Sequence, residues 1–319
     1  DELYIPMMGI LGAFVFTAQM INFTIPGTGS SGHLGGGLLL AILLGPYAAF
    51  LTIASVLVIQ ALFFADGGLL ALGANIFNLG VFPCFLAYPF IFKPIAGTGA
   101  RNPGPGRIIL AALPAAIIGL LAGALGVVLE TVFSGITSLP FKSFVLLMLP
   151  VHLAIGIVEG LVTAAVVIFV FKTDPGLIFV FSKKSQSPKA FWRPALIGLM
   201  LVALVTGVAL SWFASTHPDG LEWSIARVTG SEELQGPEQG MHGVLSRLQK
   251  KFAPLPDYGF RIGSEGAKTE SVDAESTWPA VNAGTSVSGI LGGLLTLALV
   301  VLAGILLRKG FIHSPISRK

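Results

Sequence analysis

The sequence is short of charge. Only 11% of its 319 residues are Asp, Glu, Lys or Arg, whereas soluble domains carry about 25%. Mean hydropathy is +0.84, and 54% of the residues are hydrophobic. Because apolar runs of about 20 residues cross a bilayer as helices, this composition predicts an all-α polytopic membrane protein in a lipid bilayer.

Cysteine and several catalytic motifs are also lacking. Cys84 is the only cysteine, so no disulfide framework or cysteine metal cluster can form, and we expect a buried packing residue. No GxxxxGK[ST] or HExxH pattern occurs, which argues against ATP hydrolysis by this chain and against a zinc protease. The net charge of +3 is small, and the basic residues fall in short loops, so no nucleic-acid partner is expected. No cleavable signal peptide is visible.

Apolar segments divide the chain into two units. Candidate helices of the first unit, 1–171, occupy residues 5–23, 35–44, 47–65, 69–92, 108–133 and 144–171. A basic linker follows at 172–193. The second unit, 194–319, has candidate helices at 194–213 and 285–307, which flank a hydrophilic loop at 214–284 with little expected core of its own. The sequence thus predicts about eight membrane segments: a helix bundle and a two-helix accessory unit with an extracytoplasmic loop.

The positions of Lys and Arg predict the orientation. When successive helices cross the membrane in alternating directions, three basic segments fall on the same side: the C-terminal tail, the 172–193 linker and the 93–107 loop. That side is expected to be cytoplasmic. The 214–284 loop, the turn at Asp66 and residues 24–33 then lie outside. Alternation also predicts a further helix, starting outside, ahead of residue 1.

Residues 24–33, TIPGTGSSGH, form a polar, glycine-rich loop between two apolar segments. His33 is the strongest candidate ligand, because neutral imidazole is the commonest metal ligand near physiological pH. Ser30 and Ser31 beside it allow close backbone approach. The alternative is a loop histidine bonded to solvent.

Polar residues inside apolar segments are a second group of candidates. Asn75 and Asn78 are three residues apart and share a helix face; with Gln60 they either orient a ligand or hydrogen-bond neighbouring helices. Asp66 precedes a helix, which we expect it to cap; the alternative is a negative charge near a cation. His152 and Glu159, seven residues apart, could relay protons, although helix packing is favoured.

The outer loop carries His217, Asp219 and Glu222 in the run HPDGLE. This run is either a capped turn or a set of transient ligands for a cation, and His242 is a weaker candidate of the same kind. Small residues within 10–18 and 111–126 favour close helix packing, either inside this chain or against another membrane subunit.

The motifs SGH, ADGG and LGAN, within residues 5–171, resemble the nickel/cobalt substrate-binding membrane (S) components of energy-coupling factor transporters, the CbiM/NikM type. The PDGLE run at 218–222 and the later PLPDY run at 254–258 resemble the accessory N component of the same systems. The chain therefore looks like a fusion of the two components.

The resemblance implies capture of Ni²⁺ or Co²⁺ as transported substrate at the outer face. The family's ligands are the amino-terminal nitrogen, the backbone and side chain of a histidine in an MHIPDG-type start, and the loop histidine, which falls on His33 here. This chain opens DELYIP, so the other ligands have no counterpart in it. Either the first helix is missing or this protein binds metal differently. We expect the former, in which case the chain as given binds metal weakly. Asp66, Asn75 and Asn78 match family motif positions and take supporting roles.

The resemblance also implies the partners and the location: a membrane coupling (T) subunit, two cytoplasmic ATPases that hydrolyse ATP, and a prokaryotic cell membrane. Cobalt uptake for cobalamin synthesis is the close alternative to nickel uptake. Alternatives of other classes are a non-transporting assembly subunit and an intramembrane enzyme that uses His152 with Glu159, or His33 with Asp66.

Overall fold

The protein is described here by a computed structural model that covers residues 4–97, 103–135, 139–179, 192–232, 240–260 and 278–312. Eight apolar helices occupy the predicted places, which confirms the all-α architecture: α1 Tyr4–Gln19, α2 Gly37–Leu44, α3 Pro46–Phe63, α4 Leu72–Ala96, α5 Pro105–Phe133, α6 Phe141–Thr173, α7 Trp192–Val208 and α10 Ala283–Ile312. Two amphipathic helices, α8 Gly220–Thr229 and α9 Gly240–Phe252, lie between α7 and α10. Short 3-10 turns occur at Pro175–Leu177, Leu210–Phe213 and Pro256–Tyr258.

Five of these helices are long and apolar enough to cross a membrane: α3, α4, α5, α6 and α10. The apolar helices α1 and α7 are shorter, and α2 has only 8 residues, all of them buried. The protein is therefore a multi-pass membrane protein, and the short α2 is shielded from lipid by its neighbours.

The chain changes direction between α2 and α3, at Gly45 and Pro46. Gly45 has a positive φ of 78°, which favours glycine, and Pro46 begins α3 with the φ that a first helical residue needs. The adjacent α4 is π-helical over Phe77–Phe92 and contains Pro83 and Pro89. Proline has no backbone N–H, so in an α-helix it leaves the carbonyl oxygen four residues earlier without its donor, and its ring clashes with that carbonyl. The π-helical segment is where these two prolines are accommodated.

Small residues set the close helix contacts. A methyl group at Gly156 or at Gly160 of α6 would lie 2.8 Å from a Cα atom of α5. At Gly9 of α1 it would lie 2.9 Å from Val301 of α10, and at Gly289 of α10 it would lie 2.4 Å from a carbonyl oxygen of α7. The glycines of α1 and α6 therefore serve packing inside this chain, and α1 joins the accessory helices to the bundle.

The buried core runs through the bundle, and Cys84 is one of its members with 0% exposure, which confirms its expected packing role. Parts of three predicted segments lie outside the described residues: 98–102 of the basic loop, 180–191 of the linker, and 233–239 and 261–277 of the hydrophilic loop. Residues 1–3 and most of the C-terminal tail, 313–319, also lie outside them.

Candidate functional site

Residues 23–32 form a β-hairpin, whereas the sequence predicted a polar, glycine-rich loop over 24–33. Strand β1, Phe23–Ile25, pairs antiparallel with β2, Ser30–Gly32. The Thr28 hydroxyl donates to the Ile25 carbonyl oxygen at 2.8 Å and lies 2.8 Å from the Ser30 hydroxyl. These bonds inside the turn replace the solvent contacts that a mobile loop would make. The hairpin thus gives the chain a defined, hydrogen-bonded conformation up to Gly32, next to His33.

His33 follows β2 and is half-buried. Its Nδ1 atom lies 3.1 Å from the Leu34 carbonyl oxygen. A carbonyl oxygen can only accept, so Nδ1 carries the proton and the Nε2 lone pair is available to a ligand. This is the arrangement in which metal-binding histidines are held.

Three buried side chains fix the backbone that follows His33. The Glu159 carboxylate of α6, 2% exposed, accepts hydrogen bonds from the Gly35 amide at 2.7 Å and the Gly36 amide at 3.1 Å. Gln19 donates to the Gly35 carbonyl oxygen at 2.8 Å, and Gln60 donates to Gln19 at 2.9 Å. The loop is thus bonded to α6 and α1, and Gln60 of α3 supports it through Gln19.

A cavity of about 140 Å³ opens beside this loop. Its walls come from the hairpin, α4, α5, α6 and the start of α8. The polar side chains that line it are His33, Asn75, Asn78, His152 and Asp219. The rest of the wall is largely apolar, as is usual for small-ligand sites.

His152 lies on the wall formed by α6. Its Nδ1 atom is 2.8 Å from the Met148 carbonyl oxygen one helical turn earlier. A methyl group at Gly220 would lie 3.1 Å from the His152 Cε1 atom, so the ring packs against the first residue of α8. His152 and Glu159 thus have separate partners, which does not support the proton relay considered from their spacing.

Asn75 and Asn78 lie on the wall formed by α4. The Asn75 amide donates to the Gly67 carbonyl oxygen at 3.2 Å, and the Asn78 amide donates to Glu130 at 2.8 Å. The Asn78 Oδ1 atom is buried without a hydrogen-bond partner among the described residues. Both asparagines therefore face the cavity while each also holds a neighbouring segment.

The 215–222 segment of the accessory unit covers the hairpin. The Ser31 amide donates to the Pro218 carbonyl oxygen at 2.7 Å, and the Ser31 hydroxyl donates to the His217 carbonyl oxygen at 2.8 Å. The Ser215 amide donates to the Asn22 carbonyl oxygen at 2.7 Å, and the Thr24 hydroxyl donates to the Ser215 hydroxyl at 2.9 Å. Ser31 thus joins the two units.

Asp219 begins α8 with a capping box. Its Oδ1 atom accepts from the Leu221 and Glu222 amides at 2.8 Å each, and Glu222 accepts from the Asp219 amide at 3.1 Å. Partial burial of the Glu222 carboxyl group, and then repulsion from Asp219, raise the pKa of Glu222. The capped-turn interpretation of this run fits the structure, and Asp219 in addition lines the cavity.

The 254–258 segment binds the turn at Asp66. Tyr258 donates to the Asp66 carboxylate, and its ring stacks on Phe64 with centroids 4.9 Å apart. The Asp257 amide donates to the Phe64 carbonyl oxygen at 2.9 Å. Helix α4 begins at Leu72 without a side-chain cap. The expectation that Asp66 caps this helix is therefore wrong, because the carboxylate is bonded to Tyr258.

The structure brings together only part of the predicted set. His33, Asn75, Asn78 and Asp219 line one cavity, whereas Ser30, Ser31, Asp66, Gln60, His217 and Glu222 do not. His217 is exposed and contributes its carbonyl oxygen. Sequence reasoning missed Gln19, the Glu159 bonds to glycine amides and the Tyr258 bond to Asp66. The GGG run after His33 was an available signal, because glycine amides can be approached closely by an acceptor.

The side chains do not form a closed metal centre by themselves. Within the described ranges no three His, Cys, Asp or Glu side chains are grouped so that they could hold an ion. An ion at His33 Nε2 would therefore need further ligands from backbone, water or other parts of the protein.

Two family models match the chain. The model described as cobalt uptake substrate-specific transmembrane region, CbiM, matches residues 1–177. The PDGLE domain model matches residues 193–309. The two matches correspond to the helix bundle and to the accessory unit that covers its cavity.

Individual relatives show the same division. A putative fused nickel transport protein NikMN of Archaeoglobus fulgidus is 31% identical over 302 residues, 92% of this chain and 83% of the relative. The fused nickel transport protein NikMN of Rhodobacter capsulatus is 31% identical over 335 residues, 96% of this chain and 86% of the relative. A cobalt transport protein CbiM of Sorangium cellulosum is 31% identical over 178 residues, 56% of this chain and 78% of the relative.

Proposed function

The chain belongs to the CbiM family of cobalt uptake substrate-specific transmembrane proteins, with a PDGLE domain fused behind it, and on this premise we propose that it is the substrate-capture subunit of an ATP-driven energy-coupling factor importer. Its substrate is divalent nickel or cobalt. The relatives named as nickel transport proteins extend over both units, which favours nickel.

One observation carries the proposal: His33 presents a lone pair beside a cavity on a backbone that the protein holds from several sides. Its Nδ1 atom is bonded to the Leu34 carbonyl oxygen. The Gly35 and Gly36 amides donate to Glu159, and the Gly35 carbonyl oxygen accepts from Gln19. Nitrogen donors suit late divalent metals such as Ni²⁺ and Co²⁺. A ligand that is already oriented loses little freedom on binding, which favours tight capture.

The remaining ligands are those that the resemblance implies: the amino-terminal nitrogen and the histidine of an MHIPDG-type start. Asn75 and Asn78 support the site by holding the walls of the cavity. Because imidazole binds the ion only in its neutral form, metal binding depends on pH and weakens in acid.

The division of labour follows the family. ATP is hydrolysed on two cytoplasmic ATPases, and a membrane coupling subunit connects them to this chain. Residues 1–171 form the capture domain, 172–193 a cytoplasmic linker and 194–319 the accessory unit, with the C-terminus in the cytoplasm of a prokaryote. The cavity and the 214–284 loop then face outward, where the ion arrives.

Titration of Ni²⁺ and Co²⁺ into the purified protein, expressed from its full reading frame, tests the proposal. We expect the wild type to bind at least one of the ions and His33→Ala to lose that binding. His217→Ala is the matched control, since its imidazole is exposed outside the cavity. Normal binding by His33→Ala would overturn the role of His33. A protein that binds neither ion but still co-purifies with the coupling subunits would be an assembly subunit.

A further inference from the structure

We propose that the exposed apolar face of α9, Gly240–Phe252, lies on the phospholipid surface of the membrane beside the turn at Asp66. The side chains that form this face are Met241, Val244, Leu248 and Phe252. The helix is then an interfacial anchor for the 214–284 loop. The inference goes beyond the proposed function, because it needs neither a metal ion nor a transport cycle.

The sequence of α9 places these apolar side chains along one stripe. Positions 241, 244, 248 and 252 recur at intervals of three and four residues, which is the spacing of one helix face. Their side chains are 69%, 43%, 39% and 63% exposed, respectively. A helix of a soluble domain turns such a stripe toward the core, whereas the described residues leave this one largely uncovered.

The neighbouring helix α8 shows what a covered stripe looks like in the same unit. Leu221, Ile225 and Val228 of α8 pack in a cluster with side chains of α5 and α6. Ile225 is only 9% exposed. Because α8 and α9 belong to the same loop, the uncovered apolar face is a property of α9 and not of the loop as a whole.

Hydrogen bonds fix α9 at the end of the spanning helix α3. The Gln249 side chain donates to the Ala65 carbonyl oxygen at 3.0 Å and accepts from the Leu69 amide at 3.1 Å. Just after α9, the Leu255 amide donates at 3.2 Å to the carbonyl oxygen of Phe63, the last residue of α3. Helix α3 has 18 residues, which gives it a length of about 27 Å, and the hydrocarbon core of a bilayer is about 30 Å thick. The end of α3, and α9 with it, therefore lies where the lipid head groups begin.

Exposed apolar side chains stand on both sides of the turn that binds α9. Leu62, near the end of α3, and Leu70, after the turn, are 43% and 46% exposed. Because α3 is a membrane-spanning helix, its exposed leucine contacts lipid. The turn to which α9 is bonded is thus itself bordered by side chains that face the bilayer.

Basic side chains border the apolar stripe of α9. Arg247 and Lys251 are both exposed and follow positions 244 and 248 by three residues, so they lie along one edge of the stripe. The Lys251 Nζ atom lies 5.8 Å from the centre of the Phe252 ring. Helices with this pattern lie in the plane of a membrane surface, with the apolar face about 5–10 Å into the boundary between head groups and acyl chains. The basic side chains then reach the phosphates of anionic phospholipids.

Site-specific fluorescence quenching tests the position of α9. Cys84 is replaced by alanine, and a bimane label is attached through Val244→Cys, Leu248→Cys or, as the matched control on the opposite face of the helix, Ser246→Cys. The full-length protein is placed in nanodiscs of phosphatidylcholine and phosphatidylglycerol, some of which carry bromine at the head-group end of an acyl chain. We expect the brominated lipid to quench the labels at 244 and 248, and aqueous iodide to quench the label at 246.

Two other results would overturn the inference. Iodide quenching at 244 and 248 equal to that at 246 would place the apolar face in water. Protection of the labels at 244 and 248 from both quenchers would show that protein covers the face, whether another part of this chain, a second copy or another subunit. No metal ion is added, so none of these results bears on the proposed function.

A charge placed in the stripe gives a second test. Leu248→Asp should return the label at 244 to water and abolish its quenching by brominated lipid, because a carboxylate is not accommodated among acyl chains. Ser246→Asp, on the opposite face, should leave that quenching unchanged. Persistent lipid quenching in Leu248→Asp would contradict an apolar contact. Nanodiscs without phosphatidylglycerol should show weaker lipid quenching at 244, and equal quenching would overturn the contribution of Arg247 and Lys251.

Discussion

Replacing Glu159 with alanine removes the acceptor that holds the backbone after His33. The carboxylate is 2% exposed and accepts from the Gly35 amide at 2.7 Å and from the Gly36 amide at 3.1 Å. Water has little access to these two amides, so neither can replace the lost bond with a solvent bond. The variant therefore leaves two buried donors unpaired.

The magnitude follows from the cost of an unpaired buried group, about 1–3 kcal/mol each. Two amides together give about 2–6 kcal/mol. For a protein of this size that corresponds to a fall in melting temperature on the order of 10 °C. Glu159→Gln keeps one acceptor oxygen and should lose less than the alanine variant. The affinity for Ni²⁺ should fall in the same order, because the loop that carries His33 is no longer fixed.

Thermal unfolding in detergent, followed by size-exclusion profiles, measures the first effect, and Ni²⁺ titration of the folded protein measures the second. An alanine variant that melts with the wild type would refute the reasoning. Equal losses in the alanine and glutamine variants would assign the effect to the charge of Glu159 and not to its two acceptor bonds.

Three further predictions concern the contacts between the two units and the loop. Tyr258→Phe should lower stability by about 1–3 kcal/mol, because the hydroxyl donates to the Asp66 carboxylate. Burial raises the pKa of Tyr258 above its usual 10.0. The stability that the hydroxyl contributes is therefore present below pH 10.0 and is lost as the pH rises through the pKa of Tyr258 in the folded protein. Melting curves of the wild type and Tyr258→Phe at increasing pH check this. Gly36→Ala should lower the melting temperature, because Gly36 has a φ of 75° and a methyl group there would lie 2.5 Å from a side chain of α1. Gly289→Ala should also destabilise the protein, since its methyl group would lie 2.4 Å from a carbonyl oxygen of α7, whereas Gly293→Ala, with its nearest neighbour at 3.8 Å, should melt like the wild type.

Hydropathy was sufficient to predict the helices. A long apolar segment in lipid has to form its backbone hydrogen bonds within itself, and an α-helix does this. Long apolar segments in the sequence therefore predict helices. Helical spacing was also sufficient for Asn75 and Asn78, whose separation of three residues brings both to the cavity. Local pattern is informative where the determining contacts lie within one helix.

Contacts between distant residues could not be predicted in this way. Asp66 was expected to cap the next helix, but its partner, Tyr258, is 192 residues later in the chain. Glu159 was paired with His152 by its spacing of seven, yet it accepts from amides 123 and 124 residues earlier. A buried carboxylate takes whichever donors the tertiary fold supplies, and one sequence does not show which strand or loop lies opposite.

The accessory unit contacts the hairpin before His33 directly through one segment and is connected to the loop indirectly through a second. The 215–222 segment bonds directly to the hairpin through Ser31. The 254–258 segment binds Asp66, and the Asp66 amide donates to the Gln60 carbonyl oxygen at 3.2 Å. The Gln60 side chain donates to Gln19, and Gln19 donates to the Gly35 carbonyl oxygen of the loop.

These contacts are a few hydrogen bonds and one aromatic stack, and each of them is individually weak. Tethering in one chain gives the two units a local concentration in the millimolar range, at which weak contacts persist. The packing of α7 and α10 against α1 already holds the accessory unit on the bundle. The few polar contacts therefore only have to position the 215–222 and 254–258 segments, which places the Asp219 carboxylate in the wall of the cavity.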